Sequence, residues 1–217
     1  LIHPADHVME IRQSSNLGIH AEVKNIDFDY IMNRMRKSID DGEREVREGI
    51  EQLEGMDFYR GEGRFVEDYT LEVNGEKIKG DRIFIASGAR PLIPPIEGLD
   101  KVNFLTNESA LELKNLPESL IIIGGGYIGV EFAHFFDAVG SKVHILEMAD
   151  RLILSEDHEM ADLLLTELRR RMEVSLGSRV IEIKETAEGV RVIVEKAGSG
   201  KQDELSLIHI SEPTRPY

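Results

Sequence analysis

The chain contains no cysteine. That excludes a disulfide framework, a thiolate metal site and a cysteine nucleophile within these 217 residues, and no metal site is expected. Cations are scarce relative to acids: 26 Lys and Arg stand against 41 Asp and Glu, a net charge of −15. Nucleic-acid affinity rests on clustered Lys and Arg, so no nucleic-acid partner is expected. The simplest reading of the acidity is solubility, or adaptation to a salty cytoplasm. No apolar run approaches the length that crosses a bilayer, so a soluble protein without a membrane partner is expected. The opening residues lack the charged and apolar regions of a secretory signal. The first residue is Leu, not Met, which leads us to expect a missing beginning.

What is present centres on Leu120-Ile121-Ile122-Ile123-Gly124-Gly125-Gly126-Tyr127-Ile128-Gly129-Val130-Glu131, followed by Val143-His144-Ile145-Leu146 and Glu147. An apolar run, then G-x-G-x-x-G, then a helical pattern (Ile128, Phe132, Phe135, Phe136, Val139) stopped by Gly140, then a second apolar run closed by an acid, describes a dinucleotide-binding βαβ unit. Gly124 permits the tight turn, Gly126 removes a Cβ where a pyrophosphate approaches the backbone, and Gly129 lets the helix lie close to the strand. The helix N-terminus offers N–H groups and a positive dipole end to the phosphates. Glu147, eighteen residues beyond Gly129, can accept both ribose hydroxyls and favours NAD over NADP. Arg151 argues the other way, but Asp150 beside it offsets its charge and no further arginine comes before Arg169.

Around this unit the patterns predict a helix over residues 1–13 closed by Asn16-Leu17-Gly18, and a short extended piece at Ala21-Glu22-Val23. Asp27 reads as the N-cap of a long helix over Phe28–Glu51, with Ile31, Met32, Met35, Ile39, Val46 and Ile50 as a buried stripe. Strands are predicted at Phe58–Phe65, at Thr70–Val73 and Lys77–Gly80 around an Asn74-Gly75 hairpin turn, and at Arg82–Ala86, the last one buried. Arg90–Gly98, with three prolines, reads as a linker. Beyond the βαβ unit come a helix over Asp157–Met172 and short strands at 174–176, 180–183 and 190–194, with Ala187-Glu188-Gly189 as a turn.

With these pieces in order the chain resembles the pyridine nucleotide–disulfide oxidoreductases of class I, most closely their dihydrolipoamide dehydrogenase branch. The motifs that carry the likeness are Ile85-Ala86-Ser87-Gly88-Ala89-Arg90-Pro91, Leu116-Pro117-Glu118-Ser119-Leu120, Gly124–Glu131, Gly140-Ser141-Lys142-Val143 and Glu147-Met148-Ala149-Asp150-Arg151. The resemblance implies an α/β fold: a partial FAD-binding domain (helices plus a β-meander and strand), then a partial Rossmann-like NAD-binding domain. Residues 1–92 would be the C-terminal part of the first half of the FAD-binding domain, 93–117 a linker and entry, and 118–204 a truncated NAD-binding domain.

The cofactors implied are FAD and NAD. Ala86, Ser87 and Gly88 would approach the flavin pyrophosphate, and Gly63 the flavin adenine, though Gly63 fits an ordinary turn as well. Gly124, Gly125, Gly126, Tyr127, Ile128, Gly129, Glu131 and Glu147 would serve NAD, with Val180 beside the adenine. Tyr127 reads either as a nicotinamide gate or as a partly exposed core aromatic. Glu131 would approach the nicotinamide carboxamide. The family's flavin fingerprint, its C-x-x-x-x-C redox disulfide and its C-terminal His/Glu pair are not in this sequence. The expectation is therefore an interior fragment, inactive alone, of a cytoplasmic homodimer that oxidises a small-molecule or lipoyl-domain dithiol, in association with a 2-oxoacid dehydrogenase complex. Mycothione, glutathione or mercuric reductase activity, or a regulatory NAD-binding module without chemistry, are the alternatives. An acidic interaction protein built on the Phe28–Glu51 helix is a further one. Residues 205–217 do not resemble the family and read as a translated sequencing adapter, a non-native tail to be excluded from fold reasoning; His209 within it is not expected to be a catalytic base.

Overall fold

The computed structural model describes residues 1–187, 189–198, 202–207 and 210–211. Its elements are α1 (Ile2–Gln13), α2 (Phe28–Glu51), β1 (Arg64–Glu67), β2 (Thr70–Val73), β3 (Glu76–Lys79), β4 (Phe104–Leu105) and β5 (Ser119–Ile123). There follow α3 (Tyr127–Val139), β6 (Lys142–Leu146), α4 (His158–Arg169), β7 (Glu173–Ser175), β8 (Ser178–Thr186), β9 (Gly189–Lys196), β10 (Gln202–Leu207) and β11 (Ile210–Ser211). Two compact units divide the chain: Leu1–Met35 with Arg90–Tyr217, and Arg36–Ala89. Residues 1–35 therefore pack with the later part of the chain.

In the larger unit a parallel sheet runs in the order β4-β11-β5-β6-β7. β5 pairs with β6 from Ser119↔Lys142 to Ile123↔Leu146, with α3 as the crossover. Alternation along the strands sends Leu120, Ile122, Val143 and Ile145 to one face, where they meet Phe132, Phe135 and Phe136 of α3 and Ala5 and Val8 of α1. Ile121 and Leu146 go to the other face, against Val180, Ile183, Val190, Val192 and Val194. Those valines belong to the antiparallel sheet β10-β9-β8. The unit is thus three layers, helices on sheet on sheet, and the strand between two apolar faces reads as an unbroken hydrophobic run. Gly98 fits where β8 meets the linker: its φ is +79°, and a Cβ there would stand 2.1 Å from the Ile183 carbonyl oxygen.

α1 ends in a 3₁₀ turn, Ser14–Leu17, closed by Gly18, as the sequence predicts. Asp27 caps α2 through its Oδ1, which accepts the Tyr30 N–H at 2.9 Å. The predicted buried stripe of α2 holds only at its start. Phe28 and Met32 are buried, while Ile39 and Val46 are exposed, because a stripe is buried only where apolar surface faces it. β10 pairs with β9 straight through the Glu204–Leu205 junction, Leu205 opposite Val192, so the expected tail boundary is no break in the ladder. Glu188 and His209 lie outside the described residues.

The smaller unit holds the sheet β1-β2-β3. Asn74 (φ +53°) and Gly75 (φ +84°) form the predicted hairpin turn. Three strand expectations fail: Ala21–Val23 is irregular, the Phe58–Phe65 segment becomes strand only from Arg64, and Arg82–Ala86 is not a strand. Phe84 is 91% and Ile85 75% exposed. A strand needs a ladder partner for its N–H and C=O groups, and among the described residues none lies beside Arg82–Ala86.

Candidate dinucleotide site

One residue of the turn between β5 and α3 holds a backbone conformation that only glycine adopts freely. Gly124 sits at φ +112° and donates its N–H to the Leu146 carbonyl at 2.8 Å, tying the ends of β5 and β6 together. At Gly125 a Cβ would lie 2.4 Å from the buried Leu152 Cδ2 and 3.2 Å from Glu147 Oε2, so a side chain here would have to displace Leu152. Gly126 is different. It is the N-cap of α3 at φ −77°, and a Cβ there would meet nothing within 4 Å. No side chain caps α3, so its first-turn N–H groups open onto the clear side of the turn, where an anionic group fits. Gly129 is buried one turn along the helix.

Glu147 follows β6 and is 2% exposed. Its Oε2 accepts the Gly125 N–H at 2.6 Å and its Oε1 the Ala149 N–H at 2.7 Å. The acid expected to face a ribose therefore also braces the glycine turn from beneath. These charge-assisted bonds fix the loop before any ligand arrives.

What sequence reading missed is that residues 151–156 fold back onto the turn. Ile153 donates its N–H to the Gly125 carbonyl at 2.9 Å, and Leu152 is fully buried. The Arg151 guanidinium donates to the carbonyls of Leu154 (2.6 Å) and Glu156 (3.0 Å). Tyr127, 51% exposed, bonds through its hydroxyl to Ser155 Oγ at 2.8 Å and to the Glu156 carboxylate. Ile153 stands at φ +41°, a costly conformation for a β-branched residue that nothing in its sequence signals.

The structure thus brings Gly124, Gly125, Gly126, Tyr127 and Glu147 together. Ile128 is half-buried against the helical core, Glu131 is exposed on α3, and Val180 is buried in the second apolar cluster instead of on the open side of the turn. Gly63, Ala86, Ser87 and Gly88 belong to the smaller unit. A Cβ at Gly63 would stand 3.2 Å from Leu71 Cδ2, a close contact with the end of a side chain. Ala86, Ser87 and Gly88 are exposed. Beyond Glu147, a cavity of about 320 Å³ is lined by Met148, Gly177, Arg179, Glu195 and Lys196.

A buried histidine, His144, and a half-buried acid, Asp137, of the same unit sit apart from the turn. Burial pushes the His144 pKa down, against the pull of Glu173 at 3.2 Å, while its Nε2 meets Ser175 Oγ at 2.9 Å. Burial raises the Asp137 pKa despite the Arg171 guanidinium at 2.9 Å. No group of three or more metal-ligating side chains occurs among the described residues, and no described helix is long and apolar enough to cross a membrane.

The family model described as pyridine nucleotide-disulphide oxidoreductase matches residues 6–210. A mercuric reductase of Bacillus cereus is 30% identical over 201 residues, covering 92% of this chain and 32% of that protein. A dihydrolipoyl dehydrogenase of Bacillus subtilis (strain 168) is 32% identical over 198 residues, 87% of this chain and 42% of that protein. Among solved structures, the Cu(II) complex of the HOCl-induced flavoprotein disulfide reductase RclA from Escherichia coli superposes with a TM-score of 0.78 at 29% identity, covering 99% of this chain and 44% of that one. The chain spans less than half the length of each of these relatives.

Proposed function

The chain belongs to the pyridine nucleotide-disulphide oxidoreductase family, and from that premise we propose that its glycine turn holds NAD in an FAD-dependent disulfide oxidoreductase. The family's members are flavoprotein oxidoreductases that use a pyridine nucleotide. One observation carries the reading: the N-terminus of α3 has no side-chain cap, and a Cβ at its N-cap Gly126 would meet nothing within 4 Å. The N–H groups there would bind a pyrophosphate, and Glu147 would hold a ribose hydroxyl at the end of β6. Glu131 would lie toward the nicotinamide end. Tyr127 acts as a gate there only by giving up its bonds to Ser155 and Glu156. When bound, NAD would supply the ring that exchanges hydride.

NAD is favoured over NADP because Arg151, the cation nearest Glu147 in sequence, is engaged with two loop carbonyls and is not offered to a 2′-phosphate. Arg179 and Lys196 in the cavity beyond Met148 favour the opposite reading, with Glu195 of the same lining offsetting them. Titration of the chain with NADH and NADPH, followed by nicotinamide fluorescence, tests this: tighter binding of NADPH would overturn the NAD assignment.

For the parent protein we propose oxidation of dihydrolipoamide or a lipoyl domain, in a cytoplasmic homodimer associated with a 2-oxoacid dehydrogenase complex. Likeness to mercuric reductases and to RclA is as close as likeness to dihydrolipoyl dehydrogenases. Tyr127 supports a second reading, a reductase of another disulfide or of Hg²⁺, because the dihydrolipoamide dehydrogenases that this chain resembles often carry an aliphatic residue there. Turnover of the flavin-loaded parent with dihydrolipoamide and NAD, against Hg²⁺ or glutathione disulfide with NADH, separates these readings. No turnover with dihydrolipoamide would remove the first.

A further inference from the structure

We propose that His3 and His7 of α1 form a surface chelate for one divalent transition-metal ion, Zn²⁺ in tetrahedral geometry being the best match. Residues four apart on a helix lie one above the other on the same face. Here the two imidazole rings have centroids 4.4 Å apart, and their Nε2 atoms converge to 3.3 Å. A tetrahedral Zn²⁺ with bonds of about 2.0–2.1 Å holds its nitrogen ligands about 3.3–3.4 Å apart. A square-planar ion would need about 2.9 Å. The bite is that of the tetrahedral ion.

The tautomer is set from behind. His7 Nδ1 lies 3.2 Å from Glu10 Oε2, so its Nδ1–H donates to the carboxylate and the Nε2 lone pair faces His3. A carboxylate behind a ligating imidazole is the arrangement that raises ligand basicity and fixes ring orientation. His3, His7 and Glu10 are all exposed, so water can complete the coordination.

The helix that carries the pair is anchored without metal. Ala5 and Val8 are buried on its opposite face, and Asp6 bonds His134 of α3 at 2.9 Å. The net charge of −15 draws cations to the surface. With two protein ligands the site is weaker than a closed structural zinc centre. The competing account is a simple hydrogen bond between two neutral imidazoles, which needs no ion.

The test uses the whole chain with its α-amine acetylated, so that His3 cannot chelate through a free amino terminus. Zn²⁺ is titrated by calorimetry at pH 7.5, with Co²⁺ visible absorption reporting geometry. His3→Ala and His7→Ala should each weaken the tightest site at least tenfold. His158→Ala, at an exposed position on α4, should leave it unchanged. Glu10→Gln should weaken it by about tenfold. Zn²⁺ should also raise the Tm of the unsubstituted chain and not that of His7→Ala. Circular dichroism of the variants checks that α1 is intact. Affinity unchanged in His7→Ala would overturn the proposal, as would an effect of His3→Ala alone or no binding by the unsubstituted chain.

Discussion

Leu120–Ile122 and Ile83–Ile85 are similar apolar triplets with opposite fates. The first is fully buried in β5, between β11 and β6 and between two apolar clusters. In the second, Phe84 and Ile85 are among the most exposed large side chains of the chain. Hydrophobicity does not separate them. Neighbours do: β5 has a ladder partner on each edge and a layer on each face, and Arg82–Ala86 has neither among the described residues. An apolar run states that a segment is costly to expose; it does not state what will cover it.

The largest effect should come from that contrast. Phe135 is fully buried among Phe28, Phe136 and the sheet. Phe135→Ala should cost about 3–5 kcal/mol in urea unfolding, and Phe84→Ala should lie within about 0.5 kcal/mol of the unsubstituted chain. Comparable losses for both would mean that the smaller unit buries Phe84 in solution.

Next come the glycines. Gly125→Ala forces a methyl group against Leu152 and the Glu147 carboxylate and should cost about 1–3 kcal/mol. Gly42→Ala, in the open interior of α2, should instead stabilise by about 0.5–1 kcal/mol. A neutral Gly125→Ala would show that the turn relaxes and is not held as described.

Glu147→Gln replaces an acceptor oxygen with an NH₂ group facing a backbone N–H, either that of Gly125 or that of Ala149. The unpaired donor should cost about 1–3 kcal/mol. Glu131→Gln, on the exposed face of α3, should change stability by less than about 0.5 kcal/mol.

The smallest effect is a pH dependence. Burial holds the folded pKa of His144 below the 6.5 of a free imidazole, so the unfolded chain takes up the proton first as pH falls. The stability tied to neutral His144 is complete above pH 6.5 and is lost as pH drops through 6.5 toward the folded pKa. Chemical denaturation at pH 7.5 and 5.5 should show a steeper acid loss for the unsubstituted chain than for His144→Asn, and equal slopes would remove His144 as the cause.

The βαβ unit was legible because each of its signals is local: an apolar run, glycines at fixed spacing, a 3.6-residue pattern and a closing acid. The Asp27 cap and the Asn74-Gly75 turn were legible for the same reason. What could not be read depends on partners far along the chain. The exposure of Ile39, Val46 and Phe84 follows from what does not face them. The packing of residues 1–35 with the later half rests on contacts such as Asp6 to His134, 128 residues apart. At the site, the glycines and Glu147 were found from sequence, but the bracing role of Glu147 and the fold-back of Arg151–Glu156 were not. Ile153 has an unfavourable φ that its residue type argues against, and Arg151 drew notice as a phosphate ligand when its bonds go to carbonyls.

Gly126 offers the most direct test, because a Cβ added there meets nothing within 4 Å in the folded chain. NADH titration of the unsubstituted chain and of Gly126→Ala, with unfolding curves for both, should show at least a tenfold loss of affinity, with a stability loss of no more than about 1 kcal/mol from the poorer N-cap. Equal NADH affinity in the two proteins would place the dinucleotide elsewhere and contradict the assignment of this turn.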